Sequence, residues 1–285
     1  MKIIDAHAHI FPDKIAEKAV ASIGHFYEMD TMTHGGRTED LLSSGDAVDR
    51  FLVFSTATTA KQVESINRFI YGECEKHPDK LIGLGTMHPE YENFQEEMHW
   101  LKSHGIYGIK LHPDFQHFAI NDERMMDFYE FLAEEHMFLL THSGDHRYSF
   151  SNPDKVADVA KRFPKLKIIA AHFGGWSEWD KSLHILNLPN VYFDTSSTFP
   201  FIGTDIMQKA LKQVDPSHLF FGSDFPMWDP KDEIETIKSF NLGEKLTEEF
   251  SLVGAVLTGI EYEKRSEDGK KTVLNMGNLV LENRK

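Results

Sequence analysis

Six of the sixteen histidines fall where short apolar runs end. His7 and His9 lie in KIIDAHAH (2–9), and His88 follows LIGLGTM (81–87). His112 ends YGIKLH (107–112), His142 lies in FLLTHS (138–143) and His172 in KIIAAHF (167–173). Asp224 closes HLFFGSD (218–224) in the same manner. His7 and His9 stand two apart, and side chains at that spacing on a strand share a face, so both can reach one ion. Asp5 is expected to continue that face. An H-x-H pair alone is a weak signal, but here His142, His172 and Asp224 arrive at the same level from three other strands. Imidazole nitrogens with a carboxylate oxygen suit zinc or a neighbouring transition metal. No G-x-S-x-G elbow and no phosphate-binding G-x-x-x-x-G-K-[ST] loop is present.

Residues around this set supply a pocket. Lys110, two before His112, is expected on the inward face of its strand, where an unpaired lysine is rare. His88 and His112 each precede a proline and belong to the pocket wall, as substrate contacts or loop anchors. Arg37 and Arg147 are the best receptors for an anionic group, because a guanidinium offers two parallel donors to a carboxylate. Trp176, Phe225 and Trp228 follow two of the strands and offer an apolar wall.

The elements that must hold these residues alternate. Besides the five runs that carry or precede a histidine and the Asp224 run, DRFLVFSTA (49–57) and NVYFDTS (190–196) read as buried parallel strands, giving eight. Helical spacing fills the gaps, as in 61–77, 92–104, 123–136 and 153–163, the last with Ser151 and Asn152 as cap candidates and Pro153 in its first turn. Eight such units predict an α/β chain folded as one (β/α)8 barrel, which typically takes ~250 residues. An open doubly wound sheet is the competing topology, weakened by the lack of a Gly-rich fingerprint after the first strand. In a barrel, the carboxyl ends of the strands form the rim on which active sites are built.

One domain over 1–285 is expected, with two irregular regions. Residues 10–48 form a long helix-and-loop segment, including HGGR (34–37), placed over the barrel mouth. Residues 254–285 form an atypical C-terminal extension, with a hairpin over 259–277 turning at an Asp-Gly.

Composition excludes several function classes. The chain has 285 residues, 41% hydrophobic and 26% charged, as expected for a globular protein rather than a disordered one. A net charge of −15 disfavours nucleic acid and anionic membranes as partners. No apolar run spans a bilayer, no signal-peptide core precedes the first strand, and the single cysteine, Cys74, precludes an internal disulfide. A cytoplasmic enzyme for a small molecule is the expectation.

The motifs DAHAHIF, GIKLHP, THSG, AHFGG and FGSDFP, each at a strand end across roughly residues 1–245, resemble the amidohydrolase superfamily. The nearest branch is amidohydrolase 2, which includes aminocarboxymuconate-semialdehyde decarboxylase and related aromatic-acid decarboxylases. The resemblance implies a (β/α)8 barrel with one divalent metal, most simply Zn2+ with Mn2+ as the alternative. His7, His9, His142 and Asp224 would then be its ligands, and His172 would activate the water. Binuclear members carboxylate a lysine at the position of Lys110 to bridge a second metal; an unmodified Lys110 beside one metal is the expectation here. Such a site acidifies water toward pKa ~7, with Asp224 as proton acceptor and His172 orienting the water or stabilising developing charge.

Three functions follow in order. The first is a hydrolase in which metal-activated water attacks a small-molecule amide, lactone or ester carbonyl. The second is a non-oxidative decarboxylase of an unsaturated or aromatic carboxylate, which would need Lys110, Arg37 or Arg147 turned inward. The third is a barrel that binds metal or ligand without turnover. Relatives are often dimers, so a homodimer stays open. The ending VLNMGNLVLENRK departs from the family's Asn-Ala-x-x-Leu-Leu helix.

Overall fold

The computed structural model describes residues 3–29, 35–44, 48–185, 187–215 and 218–239, together with the strand pair 262–265 and 271–274. Every predicted barrel strand is present. They are β1 Ile4–His9, β2 Arg50–Phe54, β3 Leu81–Gly83 continued by β4 Gly85–Thr86, β5 Gly108–Leu111, β6 Phe138–Thr141, β7 Lys167–Ala170, β8 Val191–Asp194 and β9 Leu219–Phe220. The third predicted strand is broken at Leu84, whose N–H bonds to the Val53 carbonyl at 2.9 Å and so joins the two halves. One sheet runs β1-β2-β3 and the other β4 to β9 in chain order, with every pairing parallel. Ala6 N–H donates to Phe221 O at 2.8 Å and His9 N–H to Phe225 O at 2.7 Å, closing the last strand on the first. The fold is therefore the (β/α)8 barrel, not the open sheet.

Parallel neighbours in register point the same way, so Lys110, Leu140 and Ile169 form one inward row. Leu52, Phe54, Leu84, Phe138, Leu140 and Phe220 fill the interior beneath the site. A larger apolar layer lies between strands and helices, where α3 Val63–Lys76, α4 Phe94–Ser103, α6 Met126–Glu134 and α7 Pro153–Arg162 pack. The helix α7 starts at Pro153 as expected, but Asn152 makes no side-chain cap: its amide donates to Glu178 Oε2 at 2.7 Å.

The segment between β1 and β2 contains α1 Ala16–Tyr27 and α2 Thr38–Ser44; His34 lies outside the described residues. Of the C-terminal extension, Tyr262–Arg265 and Lys271–Leu274 pair antiparallel, Tyr262 opposite Leu274, while the Asp-Gly turn between them lies outside the described residues. No helix among the described residues is long and apolar enough to cross a membrane.

Candidate active site

β1 carries its two histidines to the rim, but not by simple alternation. Its pairing with β2 slips between Asp5 and Ala8. Asp5, expected on the histidine face, instead stabilises this irregularity. Its Oδ1 accepts the N–H groups of His7 and Ser223, both at 3.0 Å, and its Oδ2 accepts the Ser223 hydroxyl at 2.5 Å. Burial raises its carboxyl to about 7.

His7, His9 and Asp224 each present one donor atom, all within 4.8 Å of one another. Asp224 Oδ1 lies 3.3 Å from His7 Nε2 and 3.4 Å from His9 Nε2. The Asp224 backbone N–H donates to His7 O at 2.9 Å, so the closing seam of the barrel itself sets this approach. Asp224 Oδ2 accepts the Ser197 hydroxyl at 2.5 Å, and Trp228 Nε1 donates to Ser197 at 2.8 Å. Asp224 has φ 63°, and His172 and Phe173 have φ 57° and 54°, left-handed values uncommon outside glycine.

A carboxylate that sequence reasoning missed orients His7. Asp194, at the end of β8, accepts His7 Nδ1–H at 2.8 Å, which leaves Nε2 with its lone pair facing Asp224. Asp194 Oδ1 also accepts the N–H groups of His172 and Ser196 at 3.0 and 3.1 Å, and the Ser196 hydroxyl. Burial would raise this carboxyl, but His7 and these donors outweigh it and hold it at about 2. The signal was available: NVYFDTS ends in an acidic residue at the same level as FGSD.

His172 and His142 form a second pair, with Nε2 of the former 2.9 Å from Nδ1 of the latter. The bonding pattern assigns their protons. His172 Nδ1 lies 3.0 Å from the Ser196 carbonyl and donates to it, so His172 Nε2 accepts from His142 Nδ1–H. His142 Nε2 is then a bare lone pair. It is buried, has no hydrogen-bond partner, and lies 3.8 Å from Asp114 Oδ2. His142 is not one of the three residues whose donor atoms cluster. Burial lowers His7 to about 4, lowers His9, and places His142 and His112 well below the usual imidazole range. Neutral imidazoles, an ionised Asp224 and one orphaned buried nitrogen fit a divalent cation.

Lys110 is wholly buried and turned inward, with Nζ 3.2 Å from His7 Nε2 and 4.8 Å from the centre of the Phe54 ring. Burial brings its amine down to about 8, while Asp194 and Asp224 favour its charge. His7, His9, Lys110, His112, His172 and Asp224 line a single cavity of about 20 Å³, closed by Ile23 and Tyr27 of α1 and by Phe115 and Met227. His112 Nδ1 accepts the Phe115 N–H at 3.3 Å, and Nε2 lies 2.8 Å from the Tyr27 hydroxyl. Its ring stacks on His142 with centres 4.1 Å apart.

The remaining sequence candidates stand off this cavity. His88 Nδ1 accepts the Glu90 N–H at 3.2 Å and anchors its own turn. Arg37 meets Glu17 at 3.2 Å on the surface. Arg147 binds both oxygens of Asp145, at 3.0 and 2.7 Å, and donates to the Phe26 carbonyl at 2.6 Å. Trp176 packs its edge against Tyr27 with ring centres 5.1 Å apart. Tyr27 itself was not singled out in the sequence, since a helix-borne residue gives no local sign of the strand ends it will meet.

The amidohydrolase family Amidohydro_2 matches residues 4–250. No curated protein matches the chain in sequence. Among solved structures, an uncharacterized TIM-barrel protein of Bordetella bronchiseptica aligns with TM-score 0.73 and 16% identity, covering 90% of this chain and 97% of that one. A Pseudomonas putida protein designated a 2-pyrone-4,6-dicarboxylic acid hydrolase aligns with TM-score 0.66 and 15% identity over 92% of this chain and 99% of its own. A dihydroxybenzoic acid decarboxylase of Polaromonas sp. JS666, holding manganese and 2-nitroresorcinol, gives TM-score 0.65 and 13% identity over 90% and 96%. At these identities the likeness is one of fold.

Proposed function

The chain belongs to the amidohydrolase family matched above, and on that premise we propose that it is a metal-dependent hydrolase of a small amide, lactone or ester. The observation that carries this reading is the triangle of His7, His9 and Asp224. These three would hold one divalent ion, zinc or manganese, with His142 proposed as a fourth ligand. Bound there, it would act as a Lewis acid toward a carbonyl and acidify a water to near neutral pKa.

The protein's own groups do the rest. Asp194 fixes the His7 tautomer, so that Nε2 presents its lone pair, met by Lys110 Nζ at 3.2 Å, for ligation. Asp224 accepts the proton of the attacking water and returns it to the leaving group as the carbon–heteroatom bond breaks and the new carbon–oxygen bond forms. His172, whose Nδ1 donates to the Ser196 carbonyl and whose Nε2 meets His142, would orient the water by exchanging the His142 contact for it. Lys110 places positive charge where the carbonyl oxygen gains electron density.

Decarboxylation of an unsaturated or aromatic carboxylate is the second reading, favoured by one observation: Lys110 points inward and can receive a carboxylate. Hydrolysis is preferred because Arg37 and Arg147, the stronger carboxylate receptors, are committed to Glu17 and Asp145. The protein is expected to act on a small molecule in the cytoplasm, and a homodimer is the proposed assembly.

The test is elemental analysis of protein purified without added metal, followed by a screen of lactones, esters and amides beside unsaturated carboxylates. About one zinc or manganese per chain, with hydrolysis of a neutral carbonyl that His172→Ala abolishes without metal loss, is the expected result. Carbon dioxide release alone would establish the second reading. A metal-free protein that takes none up on reconstitution would remove both.

A further inference from the structure

The hydroxyl of Tyr27 is the one polar group that α1 contributes to the cavity wall, and its hydrogen bonding is asymmetric. His112 Nδ1 is occupied as an acceptor, because Phe115 donates its backbone N–H to it as the cap of the short helix α5 Pro113–Gln116. A neutral imidazole carries one proton, so that proton sits on Nε2. His112 Nε2–H must therefore donate to the Tyr27 oxygen across their 2.8 Å contact. The phenolic proton is left over, and no acceptor for it is present among the described residues. The ring is held on several sides, by Phe26 at 4.9 Å, Trp176 at 5.1 Å and Phe115 at 6.0 Å between centres. A phenol whose oxygen is pinned by a donor and whose ring is packed has little left to choose except where its own O–H points.

Resting on the metal-dependent reading above, we propose that Tyr27 donates its phenolic hydrogen to an oxygen of the substrate, with His112 as its positioning residue. The cavity between Tyr27 and the triangle has the room of one water-sized group, so a substrate oxygen that reaches His7, His9 and Asp224 comes to the phenol as well. α1 supplies both Ile23 and Tyr27 to this wall.

The test uses Tyr27→Phe, which keeps the ring and its packing and deletes only the oxygen. With zinc loaded, the variant is expected to keep native metal stoichiometry and to lose ~100-fold in kcat on whichever carbonyl substrate the native protein turns over. Calorimetric affinity for phenylphosphonate, a stable mimic of the oxyanion, is expected to fall by about tenfold. His112→Gln is expected to lose activity in the native background and to add nothing to Tyr27→Phe, the coupling that a positioning role requires. Native-like kcat and phosphonate binding in Tyr27→Phe would overturn the proposal. If the native protein hydrolyses nothing, the hydrolase reading falls separately, and the phosphonate comparison still decides on Tyr27.

Discussion

At the scale of single residues, His7 is the most constrained group in the site: Asp194 and Ser196 meet its Nδ1, while Lys110 and Asp224 meet its Nε2. Replacing Asp194 by Asn should weaken zinc binding by roughly 10–100-fold without unfolding the protein. Competition with a fluorescent chelator measures this, and native affinity in Asp194→Asn would strip Asp194 of its orienting role. His7, His9 and Asp224 were legible in the sequence because strand ends are local features and an H-x-H pair shares a face by backbone geometry alone. Asp5 was misread for a related reason. Alternation takes no account of a register slip, and the slip between Asp5 and Ala8 turned that carboxylate to the backbone of Ser223. Tyr27 was invisible for a different one, since its contact with His112 joins residues far apart in the chain.

At the scale of elements, the last strand must approach the first closely enough for Asp224 to reach both histidines. Gly222 makes that possible. A Cβ there would lie 3.0 Å from the Cβ of His7 and 3.2 Å from that of Ser196. Gly222→Val should push the β9 end outward, costing about 1–3 kcal/mol through overpacking and losing metal in the same variant. Chemical denaturation beside metal analysis checks it; a variant with unchanged stability and full metal content would refute the close-packing argument. The barrel strands were all readable as β-branched or aromatic runs, and only the break at Leu84 was not. It depends on the neighbouring Val53 carbonyl rather than on any residue type.

At the scale of the whole molecule, buried acids set the response to pH. Glu233 of α10 Pro230–Ser239 is buried, its Oε2 has no partner, and burial raises its carboxyl to about 8, with Asp224 and Asp5 adding to the shift. The folded chain keeps this proton up to about pH 8, whereas the unfolded chain releases it above its ordinary value of 4.5. Folding therefore loses stability as pH rises between those values, by up to roughly 1.4 kcal/mol per pH unit. Urea unfolding of metal-free native protein and of Glu233→Gln at pH 5.5 and pH 7.5 isolates this contribution, because the other buried groups titrate alike in both: the native protein should lose more stability, or gain less, than Glu233→Gln, and equal slopes in the two proteins would assign the effect elsewhere. The bond from Asp224 N–H to His7 O has a thermodynamic corollary of another kind. An ion shared by those two residues fastens the first barrel strand to the last, so it acts as a clasp on a long loop of chain and binds only when the circle is shut. Occupancy and closure are then linked quantities. Zinc at a thousandfold excess over its Kd should add about 4.1 kcal/mol to folding. The melting temperature becomes a titration of the site that needs no substrate, rising with zinc in the native chain and staying flat in His7→Ala.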